Sequence, residues 1–194
     1  MTEGTHRIFV AVALDPALRA AVVALERRLE DAGARLRWVE VENLHFTLRF
    51  LGQLSEPQLD RVRRTVRDAS AGSAAFRIRL AGIGAFPNPR RPQVVWAGIR
   101  EGAEAMADLA RRLDDALARE RFPREPRGFT PHLTLARVKD ARLWGDLSRV
   151  LPVFEAEQVG EQEVRSLVVM ESLLRPQGPI YTPVEEVRLS TYEK

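Results

Sequence analysis

The sequence predicts an α+β fold: two pseudo-symmetric lobes, each an antiparallel sheet with helices on its outer face, around a central cleft. Three observations predict it. Short runs with strand patterning alternate with longer runs of helical spacing along the 194 residues. Each half of the chain carries a long helix some way before or after its motif strand. The pattern His-x-Thr-Leu occurs twice, at 45–48 and 132–135, and the two copies lie 87 residues apart, close to half the chain. The economical reading is one domain over 1–194, made of two intertwined lobes.

The elements follow in order. Arg7 to Leu14 (RIFVAVAL) reads as a buried strand. Asp15-Pro16 supplies a cap and a first-turn proline for a helix whose apolar face is Leu18, Val22, Leu25 and Leu29, with Gly33 ending it. Leu36 to Val41 reads as a short strand, and His45 to Leu51 as a second, closed by Gly52. Ser55-Glu56-Pro57-Gln58 forms a capping box ahead of a helix with Leu59, Val62, Val66 and Ala69 inward. Phe76 to Leu80 alternates as a strand, and Gly82-Ile83-Gly84 marks a bend or bulge. A loop PNPRRP at 87–92 leads to the strand Val94 to Ile99. Residues 102–120 give the longest helix, with the stripe Met106, Leu109, Leu113 and Leu117. After a charged loop at 121–128 come the strand Phe129 to Val138, a short helix near 141–150, and strands Arg165 to Leu174 and Val184 to Leu189.

Composition narrows the function classes. There are no cysteines, which excludes disulfides, cysteine nucleophiles and thiolate metal sites and fits a cytoplasmic, reducing setting. The early apolar run Ile8 to Leu14 is too short to span a bilayer, so no membrane partner is expected. Of 30 basic residues only Lys139 and Lys194 are lysines, leaving 28 arginines. Arginine suits bidentate phosphate contacts, although a GC-rich coding bias produces the same composition. Residues 1–97 carry 15 basic and 10 acidic residues, and 98–194 carry 15 and 17, a weak pointer to an anionic partner.

The repeated motif carries the chemistry. Along a strand, His45, Thr47 and Arg49 share one face, with Phe46, Leu48 and Phe50 on the other. His132 and Thr134 share a face in the same way. A single His and Thr on an open strand face mean little. Two identical sets, using two of only three histidines, imply a site; His6 reads as a surface residue. If the lobes face each other, two imidazoles and two hydroxyls converge. Imidazole titrates near neutrality, so one copy serves as general base and the other as general acid. Threonine hydroxyls donate to phosphate oxygens. Those parts suffice for in-line attack at phosphorus, with no metal or cofactor called for. Rival patterns are absent: no Gly-x-Ser-x-Gly elbow, no His-Glu-x-x-His, no P-loop and no Gly-x-Gly-x-x-Gly.

These residues resemble the paired His-x-Thr motifs of the 2H phosphoesterase superfamily, and within it the bacterial and archaeal RNA 2′,3′-cyclic phosphodiesterases, once called 2′–5′ RNA ligases. The resemblance covers almost the whole chain: RIFVAVAL, VENLHFTLRFLG at 41–52, RRPQVVWAGI at 90–99, FTPHLTLARV at 129–138 and SLLRPQGPIY at 172–181, in family order. It implies a positively lined cleft and hydrolysis of a 2′,3′-cyclic phosphate at an RNA 3′ end to a 2′-phosphate. It further implies His45 as donor to the leaving 3′ oxygen, His132 as the base on water, and Thr47 and Thr134 as phosphate holders. The symmetry of the sequence does not itself say which histidine is which.

Smaller expectations attach to other residues. Arg137 closes the second motif; strict alternation turns it to the apolar side, unless a bulge intervenes. Arg49 shares the face of His45 and reaches phosphate or solvent. Arg90 and Arg91 lie in the loop where an RNA backbone passes, or are simply solvated. Phe129 and Tyr181 stack on a base or pack in the core. Alternatives within the family are 2′–5′ ligation and hydrolysis of a small cyclic nucleotide; outside it stands a non-catalytic RNA- or nucleotide-binding module. A monomer is expected, because no apolar stripe is left over.

Overall fold

A computed structural model describes residues 5–190 except 127, 141 and 143. Eight strands form two four-stranded antiparallel sheets. The first has the order β2-β1-β7-β8, from β1 (His6–Ala13), β2 (His45–Leu54), β7 (Ser166–Arg175) and β8 (Gly178–Arg188). The second has the order β5-β4-β3-β6, from β3 (Phe76–Phe86), β4 (Val94–Glu101), β5 (His132–Arg137) and β6 (Gln158–Val164). Each motif strand, β2 and β5, is therefore the edge of its own sheet, and the two edges touch. The lobes are not the chain's halves: the first sheet takes two of its strands from the C-terminal end.

Helix α1 (Pro16–Asp31) starts where Asp15 Oδ1 accepts from the Leu18 N–H at 2.7 Å, and the chain turns away through Gly33 at φ +105°. Although α1 follows β1, it packs on β6 of the second sheet. Helix α2 (Glu56–Ser70) opens with the capping box, Gln58 Oε1 accepting from the Ser55 N–H at 2.8 Å. It lies behind the first sheet against β1 and β8, and α3 (Ala103–Arg119) packs on it. The inward faces of these helices and of the sheets form one core, including Leu18, Leu29, Val66, Met106, Leu113, Phe46 and Leu133. A short α4 (Trp144–Val150) follows β5; the first residues of the expected helix, 141 and 143, lie outside the described residues.

Four expectations change. Leu36 to Val41 is no strand: it contributes one bridge, Trp38 to Ala136, and a 3-10 turn over Val41–Asn43. Strand β6 has no counterpart in the sequence reading, because its QVGEQEV offers only Val159 and Val164 to an apolar pattern. Strand β8 begins at Gly178 rather than 184, and its Pro179 and Pro183 are tolerated because β8 is an edge. His6 is half-buried rather than a surface residue. Its Nδ1 lies 2.8 Å from Glu171 and its Nε2 2.8 Å from Glu56, and these carboxylates raise its pKa, the Glu171 hydrogen bond most.

Candidate active site

Both motif histidines are held in one way. His45 Nδ1 lies 2.7 Å from the Asn43 carbonyl, and His132 Nδ1 lies 2.7 Å from the Thr130 carbonyl. A carbonyl only accepts, so each Nδ1 carries the proton and each Nε2 is left to accept or donate outward. In both copies the carbonyl comes from two residues before the histidine, where the chain enters its strand. Thr47 and Thr134 follow on the same face, half-buried. Among the described residues neither threonine hydroxyl nor either Nε2 has a partner within the protein.

Both strands then break their alternation at the same place. In β2, Thr47 pairs with Ala11 and Arg49 with Val10, so Leu48 is the extra residue of a bulge. In β5, Thr134 pairs with Trp96 and Ala136 with Val95, so Leu135 is extra. After each bulge the next residue turns inward and the one beyond it turns outward. This corrects the expectation for Arg49. It is 6% exposed, not on the face of His45. Its Nε lies 2.8 Å from Asp114, Nη1 donates to the Phe50 carbonyl at 2.7 Å and to Glu125 at 3.2 Å, and Nη2 donates to the Pro123 carbonyl. Arg49 thus ties β2 to α3 and the loop after it. Phe50, expected on the apolar face, is instead 52% exposed beside Phe9, with ring centroids 5.8 Å apart.

Arg137 occupies the position in β5 that Phe50 occupies in β2. It is exposed. Burial lowers the His45 pKa, the Asn43 carbonyl partly offsets this, and the positive charge of Arg137 lowers it further. Arg137 and Arg7 also act on Tyr181, against the rise that burial imposes on that phenol. An arginine of the second sheet is therefore felt by His45 and Tyr181 of the first.

Aromatic rings wall the site. Tyr181 stands edge-on to His45, centroids 5.2 Å apart at 89°, and Phe9 lies 4.9 Å from His45. Phe86 stands edge-on to His132 at 5.2 Å and 86°. Trp96 lies across its neighbouring strand beside Thr134, and a Cβ at Gly84 would fall 2.4 Å from the indole, so only glycine fits there. Of the other expected residues, Phe129 lies in the loop before β5 and packs against the core. Arg91 lies exposed in the loop after β3. The sequence reading missed Phe9, Phe50, Phe86 and Asn43. The side chain of Asn43 donates to the Pro179 carbonyl at 3.0 Å, joining the β7–β8 hairpin to the carbonyl that holds His45. The one available signal was the Phe50-Leu51 apolar pair, which already breaks the alternation of β2.

Known proteins resemble this chain in sequence and fold. Residues 14–175 match the model of the 2′-5′ RNA ligase superfamily. The chain is 42% identical over 183 residues to the RNA 2′,3′-cyclic phosphodiesterase of Methanothermobacter thermautotrophicus, covering 94% of this chain and 98% of that protein. It is 40% identical over 168 residues to the protein of that name from Aeropyrum pernix, covering 84% and 94%. The crystal structure of TT0787 of Thermus thermophilus superposes with a TM-score of 0.76 at 31% identity, over 94% of this chain and 97% of that one. E. coli LigT complexed with 3′-AMP shares the fold, with a TM-score of 0.79 at 24% identity over 96% and 99%. Two edge strands bearing matched His-x-Thr sites and a family match over most of the sequence lead to one conclusion: the chain belongs to the 2′-5′ RNA ligase superfamily.

Proposed function

We propose that this chain hydrolyses the 2′,3′-cyclic phosphate at an RNA 3′ end and leaves a 2′-phosphate. The observation that carries the reading is the matched pair of histidines, each with Nδ1 locked on a carbonyl and Nε2 free beside a free threonine hydroxyl. The relatives named RNA 2′,3′-cyclic phosphodiesterase support the substrate. His132 Nε2 takes a proton from water as the oxygen attacks phosphorus. The bond from phosphorus to the 3′ oxygen breaks, and His45 Nε2 delivers a proton to that oxygen. Thr47, Thr134 and Arg137 hold the non-bridging oxygens. Phe50 and Tyr181 offer faces to the terminal base.

Electrostatics set a condition on His45. Burial and the Arg137 charge favour its neutral form in the free protein, yet a proton donor must be charged. The bound phosphate anion resolves this: it neutralises Arg137 and itself favours imidazolium. Protonation of His45 is thereby coupled to the arrival of substrate. We read the chain as one cytoplasmic domain acting as a monomer, which size-exclusion chromatography checks directly.

The test is incubation with a short RNA ending in a 2′,3′-cyclic phosphate, with EDTA present, and identification of the product by phosphorus NMR. A 2′-phosphate from the wild type, and none from His45→Ala or His132→Ala, supports the reading. A 3′-phosphate reverses which oxygen leaves and with it the geometry of attack. Joining of a 5′-hydroxyl RNA to the cyclic end would favour ligation, the reverse chemistry at the same atoms. Binding with no turnover would leave a binding module.

A further inference from the structure

The loop between β3 and β4 carries two arginines that the chemistry above does not use. Arg90 and Arg91 are both exposed, yet their backbone is fixed. Asn88 Oδ1 accepts from the N–H groups of Arg90 at 3.0 Å and Arg91 at 3.1 Å. The Gln93 N–H donates to the Phe86 carbonyl at 2.7 Å, and the Gln93 carbonyl accepts from the Val138 N–H at 2.8 Å. The loop is so tied to the site at both ends. Phe86 stands against the His132 ring, and Val94 pairs with Arg137. Arg90 lies four positions beyond Phe86, a reach of at most about 14 Å.

The charge of this loop is not neutralised by a carboxylate, a state it shares with other arginines of the chain. Among the described residues, eleven arginines make ion pairs with carboxylates. Arg90, Arg91 and Arg137 make none. Val94 and Gln93 join this loop to Arg137 and Val138, so three unneutralised arginines lie on segments tied to one end of β5, a place suited to an anion with more than one charge. A cyclic phosphate brings one charge, whereas an RNA strand brings another with every nucleotide.

We propose that Arg90 and Arg91 hold the RNA backbone upstream of the cyclic end, so that the protein favours an RNA strand over a cyclic mononucleotide. This rests on the reading that the cyclic phosphate sits between His45 and His132. Asn88 fixes the backbone of both arginines, no carboxylate pairs with either, and each guanidinium is suited to a phosphate diester.

The experiment compares kcat/KM for a short RNA oligomer ending in a 2′,3′-cyclic phosphate with kcat/KM for 2′,3′-cyclic AMP. It uses the wild type, the Arg90→Ala/Arg91→Ala double variant, and Arg64→Ala, which removes a similar charge from α2 behind the first sheet. The double variant is expected to lower the oligomer-to-mononucleotide ratio roughly tenfold and to flatten the salt dependence for the oligomer by about one unit of slope. Arg64→Ala moves neither. Binding of the oligomer, followed by fluorescence anisotropy, separates the two readings. Equal affinities and ratios for the wild type and the double variant overturn the loop proposal. Loop-dependent binding without turnover by the wild type overturns the hydrolase reading and keeps the loop.

Discussion

The two motif strands run alike to the bulge and diverge just past it. HFTLRF and HLTLAR share a histidine on a carbonyl, a threonine, and an extra leucine where the ladder slips. Beyond the leucine, the first copy buries Arg49 and sends Phe50 outward. The second sends Ala136 inward and Arg137 outward. One lobe offers an aromatic face at the place where the other offers a cation. Under the function proposed above, the first lobe offers this place to a base and the second offers it to a phosphate. A bulge one residue long decides which motif arginine is buried and which is exposed.

The strongest way to break the comparison is to remove its shared part. His45→Ala and His132→Ala are each expected to lower kcat/KM by about a thousandfold or more, with the fold intact by circular dichroism. Full activity in either variant would end the two-histidine account. Next comes the arginine that the sequence places on the face of His45 and the structure buries. Arg49→Met leaves Asp114 with Arg124 alone as its cation and two backbone carbonyls without this donor, and is expected to cost about 3 kcal/mol. In a chain of this size that lowers Tm by roughly 10 °C. Arg137→Gln, at an exposed position, is expected to shift stability by less than about 0.5 kcal/mol. Thermal melts of the two variants side by side test the contrast. An Arg49→Met protein as stable as Arg137→Gln would refute the assignment of Arg49 to structure.

Arg137→Gln sharpens the comparison further through pH. The Arg137 charge lowers the His45 pKa, so its removal raises that pKa in the free protein. The limbs of kcat/KM against pH report free-enzyme groups. If His45 is the proton donor, it must be charged, and activity is lost as pH rises through its pKa; the alkaline limb then moves to higher pH. If His45 were the base, activity would be lost as pH falls through that pKa, and the acid limb would be the one to move up. The alkaline limb is expected to move, alongside a drop of roughly tenfold in kcat/KM from the lost phosphate contact. Movement of the acid limb instead would exchange the roles of His45 and His132.

These contrasts mark where the sequence was legible. Helix faces, the capping box and both His-x-Thr strands could be read because they follow from fixed periods, 3.6 in helices and 2 in strands. Arg49 and Phe50 were misread because a period of 2 holds only while the ladder is unbroken, and a single inserted residue exchanges the faces of everything after it. Strand β6 was missed for another reason. An edge strand facing solvent has little apolar pattern to show, and its existence depends on β3 lying beside it. Asn43 could not be read at all. Its role comes from Pro179, 136 positions away, and depends on the curl of the β7–β8 hairpin.

Asn43 also yields the subtlest test of the comparison. The carbonyls of Asn43 and Thr130 hold the two histidines with the same 2.7 Å contact, but among the described residues only Asn43 is anchored by its side chain. Asn43→Ala keeps the carbonyl and removes the anchor, so His45 loses orientation rather than its partner. Orientation acts on the chemical step, so kcat is expected to fall about three- to fivefold with little change in KM. Thr130→Ala removes no anchor, and its kcat is expected to stay within about twofold. If the two variants behave alike, the hairpin does not position His45. If Asn43→Ala alone is slow, the first lobe orients its histidine through a long-range contact for which the second has no equivalent.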